Sequence, residues 1–175
     1  MKVLMAYVTK YGSTQEVADA ISEVLRERGL EVESCPAREV RSLEGYQAVV
    51  LGAPLYIGSL LKDANKFLVR YQSILEKLPV AFFALGPLNV AEEEYKGART
   101  QLDNVLAKTP WFKPLSVELF PGKYDPSKLR FPDTLLSAVK PSPLYHRPAS
   151  DLRDWDAIRA WAGQLPAALK LETLP

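Results

Sequence analysis

The chain opens on an almost continuous apolar run, Val3-Leu4-Met5-Ala6-Tyr7-Val8. A strand buried on both faces reads this way, as in a parallel sheet. A polar, glycine-containing stretch follows, Thr9-Lys10-Tyr11-Gly12-Ser13-Thr14. Val17, Ala20, Ile21, Val24 and Leu25 then recur at helical spacing, and Gly29 closes the segment. Ser13 and Glu16 fit a capping box at the helix start.

The same alternation continues. A weaker strand is expected over Leu30 to Cys35 and a strong one over Gln47 to Leu51, ending at Gly52-Ala53-Pro54. Leu60, Leu61, Ala64, Phe67, Leu68, Tyr71, Ile74 and Leu75 make a long amphipathic helix. Val80 to Leu85 is a fourth strand, ending at Gly86-Pro87, and Leu115 to Phe120 a fifth, with a helix over Ala91 to Ala107 between them. The last helix starts near Asp154, a good N-cap, and runs through Trp155, Ile158, Trp161 and Ala162, with Pro166 placed to kink or end it. This order predicts an α/β doubly wound fold, a five-stranded parallel sheet with helices on both faces. The exception is Pro121 to Pro148, where Pro121, Pro126, Pro132, Pro141, Pro143 and Pro148 forbid long regular elements. Phe131 to Val139 has room for one short helix, and a segment this long is more often functional than neutral.

Length and composition narrow the classes. A chain of 175 residues, 47% hydrophobic, suits one domain over residues 1–175. The formal net charge of +1 argues against a dedicated nucleic-acid binder. One cysteine, Cys35, and one histidine, His146, leave no material for an intrachain disulfide or a Cys/His metal site. The first apolar run is too short for a signal-peptide core, and no run approaches the ~18 apolar residues of a membrane span. A cytoplasmic location is expected.

In an open parallel sheet, ligands bind beyond the carboxyl ends of the strands, at the topological switch point. Three loops should converge there. In Thr9–Thr14, a helix N-terminus offers unpaired N–H groups, Thr9, Ser13 and Thr14 add hydroxyls, and Gly12 lets the backbone close around an anion. That describes a phosphate cradle; Ser13 as a simple helix cap is the competing reading. In Gly52-Ala53-Pro54-Leu55-Tyr56-Ile57-Gly58, the glycines allow close backbone approach, and Leu55, Tyr56 and Ile57 suit a flat ring. Gly86-Pro87-Leu88-Asn89 offers backbone groups to a ring's polar edge. Either of these two loops alone reads more simply as an ordinary strand-to-helix turn; what favours a binding site is that all three fall at the same sheet edge.

Other phosphate chemistries fail on the residues. There is no G-x-x-x-x-G-K-S/T and no G-x-G-x-x-G after the first strand. A response-regulator receiver needs acidic residues where Thr9-Lys10 and Gly52-Ala53 stand. Cys35 and Arg41 have the C-x5-R spacing of cysteine phosphatases, but the residues between them hold no glycine, and Cys35 reads as structural.

Thr9-Lys10-Tyr11-Gly12-Ser13-Thr14 resembles the flavodoxin phosphate loop, T/S-x-x-G-x-T. The segments Gly52 to Gly58 and Phe82 to Leu88 resemble the next two flavin loops. More narrowly, the chain is similar to the flavodoxin-domain branch of menaquinone-dependent protoporphyrinogen oxidases. The shared features are the G-A-x-[IL] motif after the third strand, Phe67 in the next helix, the extension around Pro121-Gly122-Lys123-Tyr124, and the acidic-Trp pair Asp154-Trp155. The resemblance implies a sheet order of 2-1-3-4-5. It also implies flavin mononucleotide (FMN) as cofactor, held by Thr9, Lys10, Tyr11, Gly12, Ser13, Thr14, Pro54, Leu55, Tyr56, Ile57, Gly58, Gly86, Pro87, Leu88 and Asn89. It names no catalytic acid or base.

Two functions follow from the resemblance. One is an FMN-dependent oxidoreductase passing electrons from a reduced organic substrate to an acceptor such as a quinone. The other is an electron carrier between protein partners; many flavodoxins are strongly acidic for that purpose, and a charge of +1 departs from the pattern. A groove beside the flavin, lined by the proline-rich insert, would favour the enzyme. Phe131, Leu135, Leu136, Val139, Leu144 and Tyr145 of the insert suit an apolar lip for a substrate or peripheral contact with a membrane, but packing over the sheet edge and core is the more ordinary expectation. His146 is expected at the surface, and Trp155 and Trp161 in the core.

Overall fold

The computed structural model describes residues 1–56, 58–89, 91–140, 142 and 144–171. Strand β1 (Lys2–Tyr7) lies between β2 (Glu31–Pro36) and β3 (Ala48–Tyr56), parallel to both. A two-residue strand, β4 (Ser59–Leu60), folds back antiparallel on the end of β3. Parallel pairing continues through β5 (Val80–Leu85) to β6 (Ser116–Phe120), giving the order β2-β1-β3-β5-β6. The five long strands therefore run in the predicted order, and β4 is an addition.

Alternation along the strands sorts the core into two layers. From β1, Val3, Met5 and Tyr7 join the cluster beneath α1 (Ser13–Glu27) and α5 (Trp155–Ala168). Leu4, Ala6 and Val8 join the opposite cluster, beneath α2 (Lys62–Leu75) and α3 (Glu92–Ala107). Phe82 and Phe83 divide in the same way and are both fully buried.

Several expectations about elements need correction. The predicted loop after the third strand is largely strand: Pro54, Leu55 and Tyr56 continue β3, because Tyr56 pairs with Ser59 and Leu55 with Leu60 around Gly58 at φ +67°. Leu60 and Leu61 thus precede α2 rather than starting it. Ser13 and Glu16 form no capping box. Gly12, at φ +92°, occupies the N-cap position of α1, and no side chain caps the helix. Ser13 is already the first helical residue, one place too late to cap. Pro166 lies inside α5, which runs on to Ala168, while Asp154 caps its start by accepting from the Ala157 N–H at 2.9 Å.

The proline-rich insert leaves the sheet after β6. Its base is closed by a short antiparallel ladder of β7 (Lys123–Tyr124) and β8 (Ser150–Asp151), and it holds one short helix, α4 (Asp133–Ala138). Three of the apolar residues expected to pack over the core do not, and the side chain of Leu136 lies outside the described ones. Phe131, Leu135 and Val139 are 78%, 55% and 56% exposed. Leu144 and Tyr145 are half-buried, and His146 is exposed as expected.

Candidate functional site

A cleft opens at the carboxyl ends of β1, β3 and β5. Its walls include Lys10, Tyr11, Ser13 and Thr14 from the first loop, Pro54, Leu55 and Tyr56 from β3, and Gly86 and Leu88 after β5. The β1–α1 turn is set locally. Gly12 takes the left-handed conformation that favours glycine, and its N–H donates to Thr9 Oγ1 at 2.9 Å. The chain then enters α1, whose first-turn N–H groups at Ser13, Thr14 and Gln15 have no intrahelical acceptor. A Cβ built on Gly12 would meet nothing within 4 Å.

Some predicted residues serve the loops rather than the cleft wall. Thr9 braces the Gly12 turn. The Pro87 carbonyl accepts from the Gly122 N–H at 2.9 Å, fixing the start of the insert beside the β5 loop. Asn89 caps the approach to α3, accepting from the Ala91 N–H and donating to Glu94. Gly58 sits at the hairpin tip. Ile57 lies outside the described residues. Gly52 is small for the sheet's sake, not a ligand's: a Cβ there would fall 2.1 Å from the Phe83 ring.

The insert supplies the outer wall, with Gly122, Lys123, Tyr124, Asp125, Lys128, Leu129, Asp133 and Leu144. Sequence reasoning singled out few of these, and it missed the residue with the densest chemistry. Asp133 is 2% exposed. One of its carboxylate oxygens, Oδ2, accepts from Lys10 Nζ at 2.6 Å and from the Tyr11 hydroxyl at 2.5 Å. Burial alone would raise its carboxyl, but Lys10, Tyr11 and Tyr56 together outweigh it and hold the group below its ordinary value. Burial, then the hydrogen bond to Asp133, pushes the Tyr11 phenol up. Lys10 Nζ also lies 4.7 Å from the centre of the Tyr56 ring, a cation–π distance. The Tyr124 hydroxyl, on the cleft wall, is buried without a hydrogen-bond partner. The buried Tyr56 hydroxyl makes no hydrogen bond of good geometry but faces the Asp133 carboxylate, and burial, then that neighbour, pushes its phenol up.

A second polar group sits behind the first turn of α1. The guanidinium of Arg153, its side chain 2% exposed, pairs with Asp151 at 2.6 Å and Glu16 at 2.7 Å and stacks 4.6 Å from the Trp155 ring. It also donates to the Ser13 carbonyl at 3.4 Å. Asp151 is a neighbour in sequence, but nothing local signalled the reach to Glu16 and Ser13, which lie near the other end of the chain.

The arrangement offers unpaired N–H groups and a lysine at one end of a largely apolar slot, and a partnerless phenol, Tyr124, along it. The lysine, the free N–H groups and the partnerless Tyr124 phenol fit an anionic group joined to a flat, polar-edged ring. Among the described residues no cluster of His, Cys, Asp or Glu could hold a metal ion, and no helix is long and apolar enough to cross a membrane.

Comparison with known proteins agrees with this geometry. The chain is 33% identical over 103 residues to an uncharacterized protein of Methanocaldococcus jannaschii, covering 54% of this chain and 26% of that one. It is 26% identical over 88 residues to the protoporphyrinogen IX dehydrogenase [quinone] of Escherichia coli strain K12, covering 49% of each. The chain therefore aligns with half or less of these relatives' lengths. The structure superposes on an archaeal flavodoxin with a TM-score of 0.56 at 14% identity, covering 97% of this chain and 99% of that one, which shows a shared fold. A model of the flavodoxin domain matches residues 4–137, and the chain belongs to that family.

Proposed function

We propose that the cleft binds FMN and that the protein is an oxidoreductase, passing electrons from a reduced organic substrate to an acceptor such as a quinone. The observation that carries this reading is the composition of the cleft. The phosphate-type loop, the end of β3 and the β5 loop form one side, and the insert forms the other. A carrier that only docks protein partners needs an open cofactor edge; a slot walled by Leu129, Leu144 and Tyr124 is suited to a small molecule lying beside the ring.

The first-turn N–H groups of α1, with Lys10 beside them, would hold the phosphate, assisted by the positive end of the helix dipole. Leu55, Tyr56 and Leu88 would border the ring, and the hydroxyl of Tyr124 is available to its polar edge. FMN, when bound, supplies one- and two-electron redox chemistry, while the protein orients it and excludes water. The net reaction removes two electrons and two protons from the donor and delivers them to a quinone as quinol. The E. coli relative bears a name describing such a reaction on protoporphyrinogen IX, which makes a porphyrinogen the first donor to try. A cytoplasmic site of action, with peripheral membrane contact for access to quinone, completes the reading. Phe131, Leu135 and Val139 are exposed on the insert for such contact.

The test is a visible absorption spectrum of the purified protein before and after adding FMN and desalting. Stoichiometric retained flavin, weakened about tenfold in affinity by Thr14→Ala, supports the site and licenses assays with quinones and protoporphyrinogen. If no flavin is retained under any condition, the reading fails.

A further inference from the structure

The insert is built inside out. Its large apolar residues Phe131, Leu135 and Val139 face solvent, while its carboxylate Asp133 is 2% exposed. Leu135, the large apolar residue of α4 among the described side chains, therefore contributes little burial to hold the helix on the body of the protein. Polar contacts tie the segment down, and they fall on the two loops of the cleft. At one end Asp133 accepts from Lys10 and Tyr11, and the Arg130 N–H reaches the Tyr11 hydroxyl at 3.5 Å. At the other, the Arg147 guanidinium donates to the Leu88 carbonyl. The segment is thus a strap across the cleft, fastened at the phosphate-type loop by a single carboxylate.

Lys10 and Tyr11 immediately precede Gly12 and the free N–H groups of α1. Lys10 is the one ammonium on that loop, and Asp133 engages it at 2.6 Å. The Tyr11 hydroxyl has one proton, and Asp133 takes it at 2.5 Å. A phosphate on the first turn of α1 would bring a second anion to the same donors. Two anions sharing one lysine in a partly desolvated cleft repel each other strongly enough to compete.

We propose that Asp133 is an internal anion that competes with the flavin phosphate for Lys10 and Tyr11, so that it sets the cleft's preference between phosphorylated and unphosphorylated flavin. Phosphate binding and fastening of the strap then oppose each other. An incoming FMN loosens the strap at its Asp133 end and opens that side of the cleft to a redox partner. Riboflavin, which carries the same ring without phosphate, leaves the latch closed. This inference rests on the reading of the cleft as a flavin site.

The experiment compares the full-length wild-type chain with Asp133→Asn in two arms. The first titrates FMN and riboflavin by flavin fluorescence. The expected result is FMN bound about tenfold more tightly by Asp133→Asn, with riboflavin affinity changed by less than about twofold. The second arm follows tryptic cleavage after Lys128 and Arg130 with no flavin present. Cleavage should quicken severalfold in Asp133→Asn and in Tyr11→Phe, and in wild type on adding inorganic phosphate. Tyr11→Phe keeps this arm decisive should the Asn variant fold poorly. The proposal is overturned if wild type binds FMN but the Asn variant binds it no more tightly, or if riboflavin gains equally. It is also overturned if strap cleavage ignores both substitutions. FMN binding to neither protein would remove the flavin reading and the competition with it, and the cleavage arm would show whether the latch itself exists.

Discussion

Arg153 reaches from the start of the last helix to Glu16 in the first turn of α1, at 2.7 Å. The same guanidinium is bidentate on Asp151 and touches the Ser13 carbonyl, so one side chain from β8–α5 braces the turn that presents the free N–H groups. Arg153→Met keeps the apolar stem over Trp155 and removes the fork. Both carboxylates are about 40% exposed or more and can rehydrate, so the loss should stay near 2 kcal/mol. Urea unfolding would measure it. FMN affinity should fall severalfold as the turn loosens. Arg153→Lys should recover only part of either, because an ammonium cannot reproduce the bidentate geometry.

Two glycines at the cleft end of the sheet should differ in cost, and for different reasons, when replaced by alanine. At Gly12 the added Cβ meets nothing within 4 Å, and the cost is the left-handed backbone alone, about 1–2 kcal/mol. At Gly52 the Cβ would overlap the Phe83 ring at 2.1 Å. That ring is fully buried and wedged beside Phe120 and Trp161, so it has nowhere to move. Gly52→Ala should cost about 3 kcal/mol or more. Thermal unfolding of the two variants checks the order; equal losses would mean that Phe83 repacks.

Gly52 also shows where sequence reasoning reaches its limit. The apolar runs and helical spacings expose the five parallel strands, the major helices and the cleft's location, because each signal is local and periodic. What a glycine or a carboxylate is for depends on the residue opposite. Gly52 looked like room for a ligand and is room for Phe83. Ser13 and Glu16 had capping-box spacing, but Gly12 caps and Glu16 turns to Arg153. Asp133 had no local signature, since its partners Lys10 and Tyr11 lie at the other end of the chain. Phe131, Leu135 and Val139 suggested core packing by composition, and only the fold reveals that they face solvent while Asp133 is buried.

Tyr124 is 5% exposed and its hydroxyl has no partner. Tyr124→Phe removes a desolvated group and strands no other. The flavin-free protein should therefore be unchanged or up to about 1 kcal/mol more stable. If the hydroxyl serves the polar edge of the ring, FMN affinity should fall about fivefold in the same variant. Stability and affinity moving in opposite directions separates a ligand-facing hydroxyl from a packing one. A loss of stability without change in affinity would place its role in the β7–β8 ladder instead.

The contact between Asp133 and Lys10 should depend on pH in a definite sense. The folded carboxyl is held below its ordinary value of 3.8, so the unfolded chain binds more protons in that range and stability rises with pH through it. The contribution is complete above the ordinary value and is lost only as pH falls through the lowered folded value. Lys10 is one-third exposed, which screens the pair, so its worth is about 1–2 kcal/mol. Wild type should exceed Asp133→Asn by that amount at neutral pH. The gap should hold nearly constant down to the ordinary carboxylate value and close only below it, as the wild-type carboxyl takes up its proton. Urea unfolding of both proteins across this range provides the check. A gap that survives at the acid end would assign the stabilisation to the shape of the side chain and its hydrogen bond with Tyr11 rather than to its charge.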